Sequence, residues 1–341
     1  MKKILIFGAG SIGNHMAYAS RKLSHIVCVT DINLKALYRM KNEIYPKRYK
    51  NWDKSILLIN YSEVFKKKED YDLIIIGTPP FTHIELLKKI KKKLKFKNIL
   101  IEKPLSIPLK KNFSVINPKN KFKTFIGYNH SISLSFIFFI NTIIRLNKKD
   151  IREIEINWCE NWLGIMNAHF WMKSKKESYL SDFKFGGGSL QEHSHGLHLA
   201  YIISKKLNLN LLKNLSCKIY KDKSKKYDLL TQISSCKNGL FFNYRTNLIS
   251  FPARKNIIIH TKKFKFEWHC NYKKNVDKVI ITDLKTNQNK SKIFKKTRSS
   301  EFENEINYIL NCSSKKYKNS AINILNGISV QKIINDLAIN F

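Results

Sequence analysis

Three stretches of this chain carry residue types and spacings suited to chemistry. The first is Gly8-Ala9-Gly10-Ser11-Ile12-Gly13, which follows a short apolar run and opens a helical one. Gly8 allows a tight turn, Gly10 lets the backbone approach a diphosphate, and Gly13 permits close helix–strand packing. A diphosphate there rests on a helix N-terminus, where unpaired N–H groups and the helix dipole favour an anion. Alone, the glycine spacing is weakly specific. Asp31 strengthens it, ending the second apolar run eighteen residues past Gly13. A carboxylate in that place bonds the ribose hydroxyls of NAD and repels the extra phosphate of NADP. Asp31 also suits a helix cap before Asn33. With no Arg until Arg39, NAD is expected over NADP, and Lys35 keeps NADP open.

The second stretch comprises two further run ends, Thr78-Pro79-Pro80-Phe81-Thr82-His83 and Glu102-Lys103-Pro104. Prolines by themselves break strands. They do not account for a Glu-Lys pair, whose lysine can donate to a reacting oxygen or move a proton. The third is Gly186-Gly187-Gly188-Ser189-Leu190-Gln191-Glu192-His193-Ser194-His195-Gly196-Leu197-His198. A helix from these glycines to about Lys205 puts Glu192, His195 and His198 on one face. A carboxylate beside an imidazole fixes its tautomer and raises its basicity, as a general base requires. H-x-H is not a one-face helical spacing, and no second cluster accompanies it, so no metal is expected. Trp158, Trp162, His169, Trp171 and Tyr179 precede the glycines and suit either a sugar-stacking pocket or an aromatic core.

These groups need a scaffold that brings run ends together. Lys2–Phe7, Ile26–Thr30, Ile56–Asn60, Leu73–Gly77 and Asn98–Ile101 read as strands. Helical stretches Ser11–Leu23, Leu34–Ile44 and Thr82–Leu94 fall between them. Such alternation predicts an α/β fold, an N-terminal doubly wound parallel sheet of Rossmann type. Ligands of such sheets bind at the carboxyl ends of strands, where all the N-terminal candidates lie. Beyond the helix expected at Ser131–Arg145 the pattern changes to half-polar strand runs: Ile151–Asn157, Leu215–Tyr220, Leu229–Ser235, Leu240–Leu248, Asn256–Thr261, Lys263–Trp268 and Lys278–Thr282. Helices at Glu301–Asn311 and Asn319–Asn340 close the chain. This predicts a C-terminal α+β domain with an open mixed β-sheet. The 341 residues divide as 1–125 for nucleotide binding and 126–341 for substrate binding and oligomerisation.

The net charge of +38 raises nucleic acid as a partner, but 55 of the 63 basic residues are Lys and only 8 are Arg. Phosphate and base readers favour the Arg fork, so scattered solvated lysines are expected instead, with no nucleic acid partner. An anionic small molecule remains favoured by the charge. No apolar run reaches the roughly 18–20 residues of a membrane span. Scattered cysteines without a C-x-x-C pair, and an N-terminus unlike a signal peptide, point to a cytoplasmic protein.

The glycine series, Thr78-Pro79-x-x-x-His83, Glu102-Lys103-Pro104, Gly127-Tyr128-Asn129 and Gly186–Gly188, in this order, resemble the Gfo/Idh/MocA oxidoreductases across essentially the whole chain. The resemblance implies an NAD(P)-dependent dehydrogenase or reductase acting on a CH–OH group of a sugar, nucleotide sugar or cyclitol. It also implies a homodimer or homotetramer formed through the open sheet. By resemblance, Gly8, Gly10, Ser11, Ile12, Gly13, Asp31, Thr78, Pro79, His83, Glu102 and Lys103 hold the cofactor. Lys103 reaches nicotinamide ribose and substrate, while Tyr128, Asn129, Trp171, Tyr179, His195 and His198 face the substrate.

The family usually places a His four residues after the acid of the glycine motif; here Gly196 stands there and His195 comes one residue early. A subset reading Glu-x-Ser-His, often acting on sugars for surface glycans, supports His195 as the base oriented by Glu192, with His198 as the alternative. Gly196, and Ser131 where the family often has Arg, leave open a non-catalytic NAD-binding regulator.

Overall fold

In the computed structural model, which describes residues 1–66, 69–108, 113–116, 122–339 and 341, six strands form the first sheet. They are β1 (Lys3–Phe7), β2 (Ile26–Asp31), β3 (Ile56–Asn60), β4 (Asp70–Ile76), β5 (Lys95–Ile101) and β6 (Lys123–Ile126). Their order is β3-β2-β1-β4-β5-β6, with every neighbour pair parallel. This is the doubly wound order whose switch point lies between β1 and β4. Ile4, Leu5 and Ile6 of β1 and Leu73–Ile76 of β4 are wholly buried, as central parallel strands covered on both faces must be. Helix α1 (Ser11–Lys22) and helix α2 (His83–Lys93) follow β1 and β4. The helix expected over Leu34–Ile44 is α-helical only to Arg39 and widens to a π-turn over Met40–Ile44.

The second sheet has eight strands: β7 (Ile151–Asn161), β8 (Ser216–Lys221), β9 (Asp228–Lys237), β10 (Leu240–Asn247), β11 (Ile249–Thr261), β12 (Phe264–Lys273), β13 (Val276–Asp283) and β14 (Asn289–Lys295). Their order is β14-β13-β12-β11-β7-β10-β9-β8. Only β7 and β10 pair in parallel, so the sheet is mixed. β14 escapes sequence reasoning because its Asn-Lys-Ser-Lys-Ile-Phe-Lys has almost no buried face; it is specified by antiparallel pairing to β13. The helix expected over Ser131–Arg145 is regular over Leu134–Ile143, with the Ser133 side chain accepting from Phe136 N–H at its start. The last helix runs Ile324–Ala338, shorter than expected because Ser320–Asn323 form a turn; Asn340 lies outside the described residues.

The chain forms two compact units, and a simple cut near residue 125 misses how the chain returns. The first unit holds Met1–Asn129, Ala168–Trp171 and Arg298–Ile328; the second holds His130–Asn167, Met172–Thr297 and Ser329–Phe341. The physical link is α5 (Arg298–Leu310), which packs on α1: Phe302 stacks on His15 at 5.0 Å, and Glu303 pairs with Lys22 at 2.9 Å. Among the described residues no helix is long and apolar enough to cross a membrane.

Candidate functional site

In the first unit the glycine series turns from β1 into α1. Gly8 has φ +105°, and a Cβ there would lie 2.6 Å from the Gly77 carbonyl oxygen at the end of β4. A Cβ on Gly13 would lie 1.9 Å from the Gly8 oxygen, so these two glycines are required by the protein's own packing. Gly10 differs, because a Cβ there would meet nothing within 4 Å. Its hydrogen faces open space beside the α1 N-terminus, the room an approaching diphosphate needs. The Asp31 carboxylate accepts from Ala9 N–H and Asn33 N–H, both at 2.8 Å, and so anchors the glycine turn as well as the chain after β2. Asn33, not Asp31, caps the helix that follows, accepting from Lys35 N–H.

These features separate two substitutions. Gly13→Ala should destabilise the domain by about 1–3 kcal/mol and abolish NADH binding. Gly10→Ala should leave the melting temperature unchanged and weaken NADH binding at least tenfold by occupying the ligand's space, on the order of 1.4 kcal/mol. Calorimetric melting and NADH fluorescence titration of both variants check this. Equal binding by Gly10→Ala and the parent would remove the diphosphate from this turn.

At the carboxyl end of β4, Thr78 and Pro79 are half-buried, with Thr78 Oγ1 2.6 Å from Thr82 Oγ1. His83 is not beside them on the surface. It is fully buried, and its Nε2–H donates to the Thr78 carbonyl at 2.7 Å. Burial outweighs the backbone groups of Thr78, Leu105 and Pro104 and pushes its pKa down to about 4. A neutral His83 therefore braces the turns after β4 and β5 rather than lining a ligand.

Lys103 is half-buried directly after β5, its N–H donating to Glu102 Oε2 at 3.3 Å, and the Lys103–Pro104 peptide is cis. The buried Glu102 carboxyl explains Gly127, where a Cβ would come within 2.8 Å of it. Behind this lies Glu305 of α5, which sequence reasoning missed because nothing in an amphipathic helix marks an acid as buried. It is 1% exposed, and burial together with the neighbouring Glu102 and Glu301 carboxylates holds its carboxyl well above the usual carboxylate range; Arg298 opposes this. Native Glu305 thus keeps a proton that the unfolded chain releases above about pH 4.5. Its contribution to stability is present in acid and is lost as pH rises through the raised pKa, at up to ~1.4 kcal/mol per pH unit within that window. Glu305→Gln should flatten this fall, measured by urea melts between about pH 5 and about pH 8. Parallel slopes in both proteins would mean that Glu305 ionises normally.

Arg48 was also missed, although an Arg in so lysine-rich a chain is itself a signal. Its two terminal nitrogens donate to the Ser11 carbonyl (2.9 Å), Ser11 Oγ (2.9 Å) and the Ala168 carbonyl (2.7 Å), a fork lysine cannot reproduce. Trp171 belongs to this same unit, 5.4 Å from the Arg48 guanidinium and 5.2 Å from the His169 ring. Its neighbours are thus on the α1 side of the nucleotide-binding unit. Tyr128, expected at the substrate, is only 1% exposed and is part of the core; Asn129 is half-buried.

In the second unit, the histidine stretch is not one helix. Helix α3 (Ser189–Glu192) ends at His193, and α4 (Ser194–Lys206) starts anew. The continuous face expected for Glu192, His195 and His198 is therefore interrupted at His193. Gly188, at φ +87°, lies against the Asp228 carboxylate, which a Cβ would approach to 2.0 Å. That carboxylate accepts from Ser189 Oγ, Leu190 N–H and Thr231 Oγ1, so the glycines serve helix entry. Tyr179 packs against the cluster of Ile165, Leu180, Tyr227 and Leu248, as does Trp162.

Burial divides the histidines. His198 is wholly buried and His193 is 3% exposed, whereas His195 and Glu192 are half-buried. The His195 ring lies 4.7 Å from that of His130 and 5.8 Å from that of Trp158. Gly196 has a plain cause. A Cβ there would come within 2.7 Å of the Tyr244 ring and 2.9 Å of Trp158 Cβ, so the position excludes any side chain. An imidazole in this turn has to stand elsewhere, and His195 is the half-buried one. Among the described residues, no group of three or more His, Cys, Asp or Glu is placed to hold a metal ion.

A parallel sheet of this order, with its glycine turn and acid at the end of β2, defines a dinucleotide-binding protein of Rossmann type. Residues 2–126 match the model of an oxidoreductase family with an NAD-binding Rossmann fold, Gfo/Idh/MocA. The match covers the nucleotide-binding part of the chain, which is similar to that family. No curated protein matches it in sequence. Solved structures share the fold over nearly the full length at low identity. A UDP-N-acetylglucosamine 3-dehydrogenase from Acidithiobacillus ferrooxidans is 12% identical, with 99% of this chain and 97% of that one covered and a TM-score of 0.69. For a 3-ketoreductase from Actinomadura kijaniata, in complex with NADP and TDP-benzene, the values are 9%, 99%, 97% and 0.72. An inositol dehydrogenase homolog from Azotobacter vinelandii, complexed with NAD+, gives 12%, 99%, 95% and 0.75.

Proposed function

We propose that this chain is an NAD(P)-dependent dehydrogenase or reductase acting on a carbinol carbon of a sugar, nucleotide sugar or cyclitol, with NAD the preferred cofactor. The observation that carries the reading is the half-buried Lys103 placed directly after β5, at the carboxyl edge of a dinucleotide-binding sheet. The open space at Gly10 and the Asp31 carboxylate at the end of β2 fit a diphosphate and an adenosine ribose. When bound, the nicotinamide accepts or donates the hydride.

The chain's own part is to manage the oxygen and its proton. Lys103 donates a hydrogen bond to the substrate oxygen and stabilises negative charge developing there. His195 takes the hydroxyl proton in oxidation and returns it in reduction, with Glu192 orienting it. The named activities of the three structural neighbours support a sugar or cyclitol class, and the net charge of +38 favours an anionic member such as a nucleotide sugar. A homodimer or homotetramer belongs to the same reading, supported by exposed Phe241 and Tyr220 on the large sheet. A cytoplasmic setting and a role in surface-glycan synthesis also belong to it.

A non-catalytic NAD-binding regulator draws less support, because packing against Tyr244 and Trp158 accounts for Gly196. The test is NADH binding by fluorescence, followed by a panel of free sugars, nucleotide-linked sugars and cyclitols with either cofactor. Turnover of one class names the substrate. Tight NADH binding with no turnover across the panel would favour the regulator.

A further inference from the structure

We propose that Arg48 is a positioning residue for the dinucleotide, its guanidinium orienting the Ser11 hydroxyl as a hydrogen-bond donor to the diphosphate at the α1 N-terminus. This rests on the reading that a dinucleotide occupies the glycine turn, and it assigns a residue that acts there through Ser11. All the groups involved lie in the first unit.

Arg48 stands on a firm mount, the short helix Tyr45–Tyr49. The Tyr49 ring stacks on Tyr18 of α1 at 3.6 Å, and its hydroxyl is hydrogen-bonded to His15 Nδ1, about one turn nearer the glycines. Tyr45 meets Tyr18 edge-on at 6.0 Å. One turn nearer again, Arg48 Nη1 donates to the Ser11 carbonyl and Nη2 to Ser11 Oγ, each at 2.9 Å. Ser11, His15 and Tyr18 thus form one face of α1, at four- and three-residue spacing. Nη2 also donates to the Ala168 carbonyl at 2.7 Å, and the guanidinium lies 5.4 Å from the Trp171 ring. A planar fork engaged at three oxygens is fixed in place, so its influence on a ligand passes through Ser11.

What each group can donate decides the direction of the bond. A guanidinium carries donors only and keeps its charge. Toward Arg48 the Ser11 oxygen must therefore accept, which directs the single hydroxyl hydrogen away from the guanidinium. Ser11 is the first residue of α1, directly after Gly10, where a Cβ would meet nothing within 4 Å. The N–H groups of the first helical turn open at the same end. A hydroxyl that accepts from a cation is also the stronger donor, since linked hydrogen bonds polarise one another. His15, the titratable side chain on this face, supplies no charge of its own. Burial first, then the Arg298 and Arg48 charges, push its pKa down to about 2. Two arginines thus act on the first turns of α1, and their field favours an anion there.

A double-mutant cycle on the full-length protein, read by NADH fluorescence, tests this. Ser11→Ala should weaken NADH binding about tenfold, the scale of one lost hydrogen bond to a charged group. Arg48→Lys keeps the charge but not the fork, and should weaken binding about as much. With both changes the affinity should stay within about twofold of either single variant, because the two side chains act as one. Ser11→Thr keeps the hydroxyl and should bind within about threefold of the parent. ADP should follow NADH through the series, while adenosine, which has no diphosphate, should change less than about twofold. Losses that multiply in the double variant would overturn the proposal. So would equal weakening of ADP and adenosine, the mark of an arginine that only holds the fold. If Arg48→Lys fails to fold, Arg48→Met, similar in length and uncharged, takes its place in the cycle. Unchanged binding in Ser11→Ala, with Gly10→Ala weakened, would sink the role of Arg48 and leave the dinucleotide in the turn. Unchanged binding in both, or a parent that binds no NADH, would count against the turn itself and end both readings.

Discussion

Lys103→Ala is expected to lower turnover by about 10²–10³-fold while NADH still binds within a few-fold of the parent, the scale set by loss of one donor to a developing oxyanion. The prediction separates chemistry from cofactor binding, because the two draw on different parts of the first unit. In the proposed reading the diphosphate rests at the β1–α1 turn, where Gly10 leaves space and Asp31 anchors Ala9. Lys103 follows β5, two strands away across β4. Its backbone is held independently of its ammonium by Glu102, and by the buried His83 braced against the Thr78 turn. Truncation beyond Cβ should therefore leave the loop in place. Stopped-flow turnover of the identified sugar, beside a fluorescence titration with NADH, gives both numbers. Turnover within about tenfold of the parent would take Lys103 out of the reaction, since a donor to the reacting oxygen is worth more than that.

The second large effect is expected at His195. General-base catalysis contributes about 10²–10⁴-fold, so His195→Ala should lose turnover in that range while its fold survives, the side chain being only half-buried. His198→Ala should behave in the opposite way. His198 is wholly buried, and its truncation opens a hole in the core that costs on the order of 2–4 kcal/mol of stability. Below its lowered melting temperature, its turnover should stay near the parent's. Measuring both variants by thermal melt and by kcat assigns the base. A His195→Ala enzyme of normal activity, with His198→Ala inactive yet folded, would move the role to His198.

Physical causes of the unit boundary were absent from local pattern. Arg298–Ile328 returns to the first unit because Phe302 and Glu303 find their partners, His15 and Lys22, on α1, more than two hundred residues earlier. A helix's apolar stripe shows that it packs, not on what. The same limit hid Glu305 as a buried acid, and it left Trp171 looking like a substrate residue when its neighbours are Arg48 and His169.

What the amino-acid sequence determined by itself is the nucleotide-binding sheet, its parallel strands and its glycine turn. Those depend on short-range regularities: a period of strand and helix, a glycine needed at φ +105°, an acid at a strand end. The same regularities put Thr78 and Lys103, the residues to which chemistry is proposed, just past the ends of β4 and β5, since a parallel sheet presents all its carboxyl ends on one edge. Tertiary structure alone decided which of three histidines keeps exposed surface, why Gly196 has no side chain, and which ring lies beside His195. Each of those turns on contacts between α4 and segments far away in sequence. Tyr244 and Trp158 fill the space a residue at 196 would need, and steric exclusion of that kind leaves no trace in the spacing of residues along a chain.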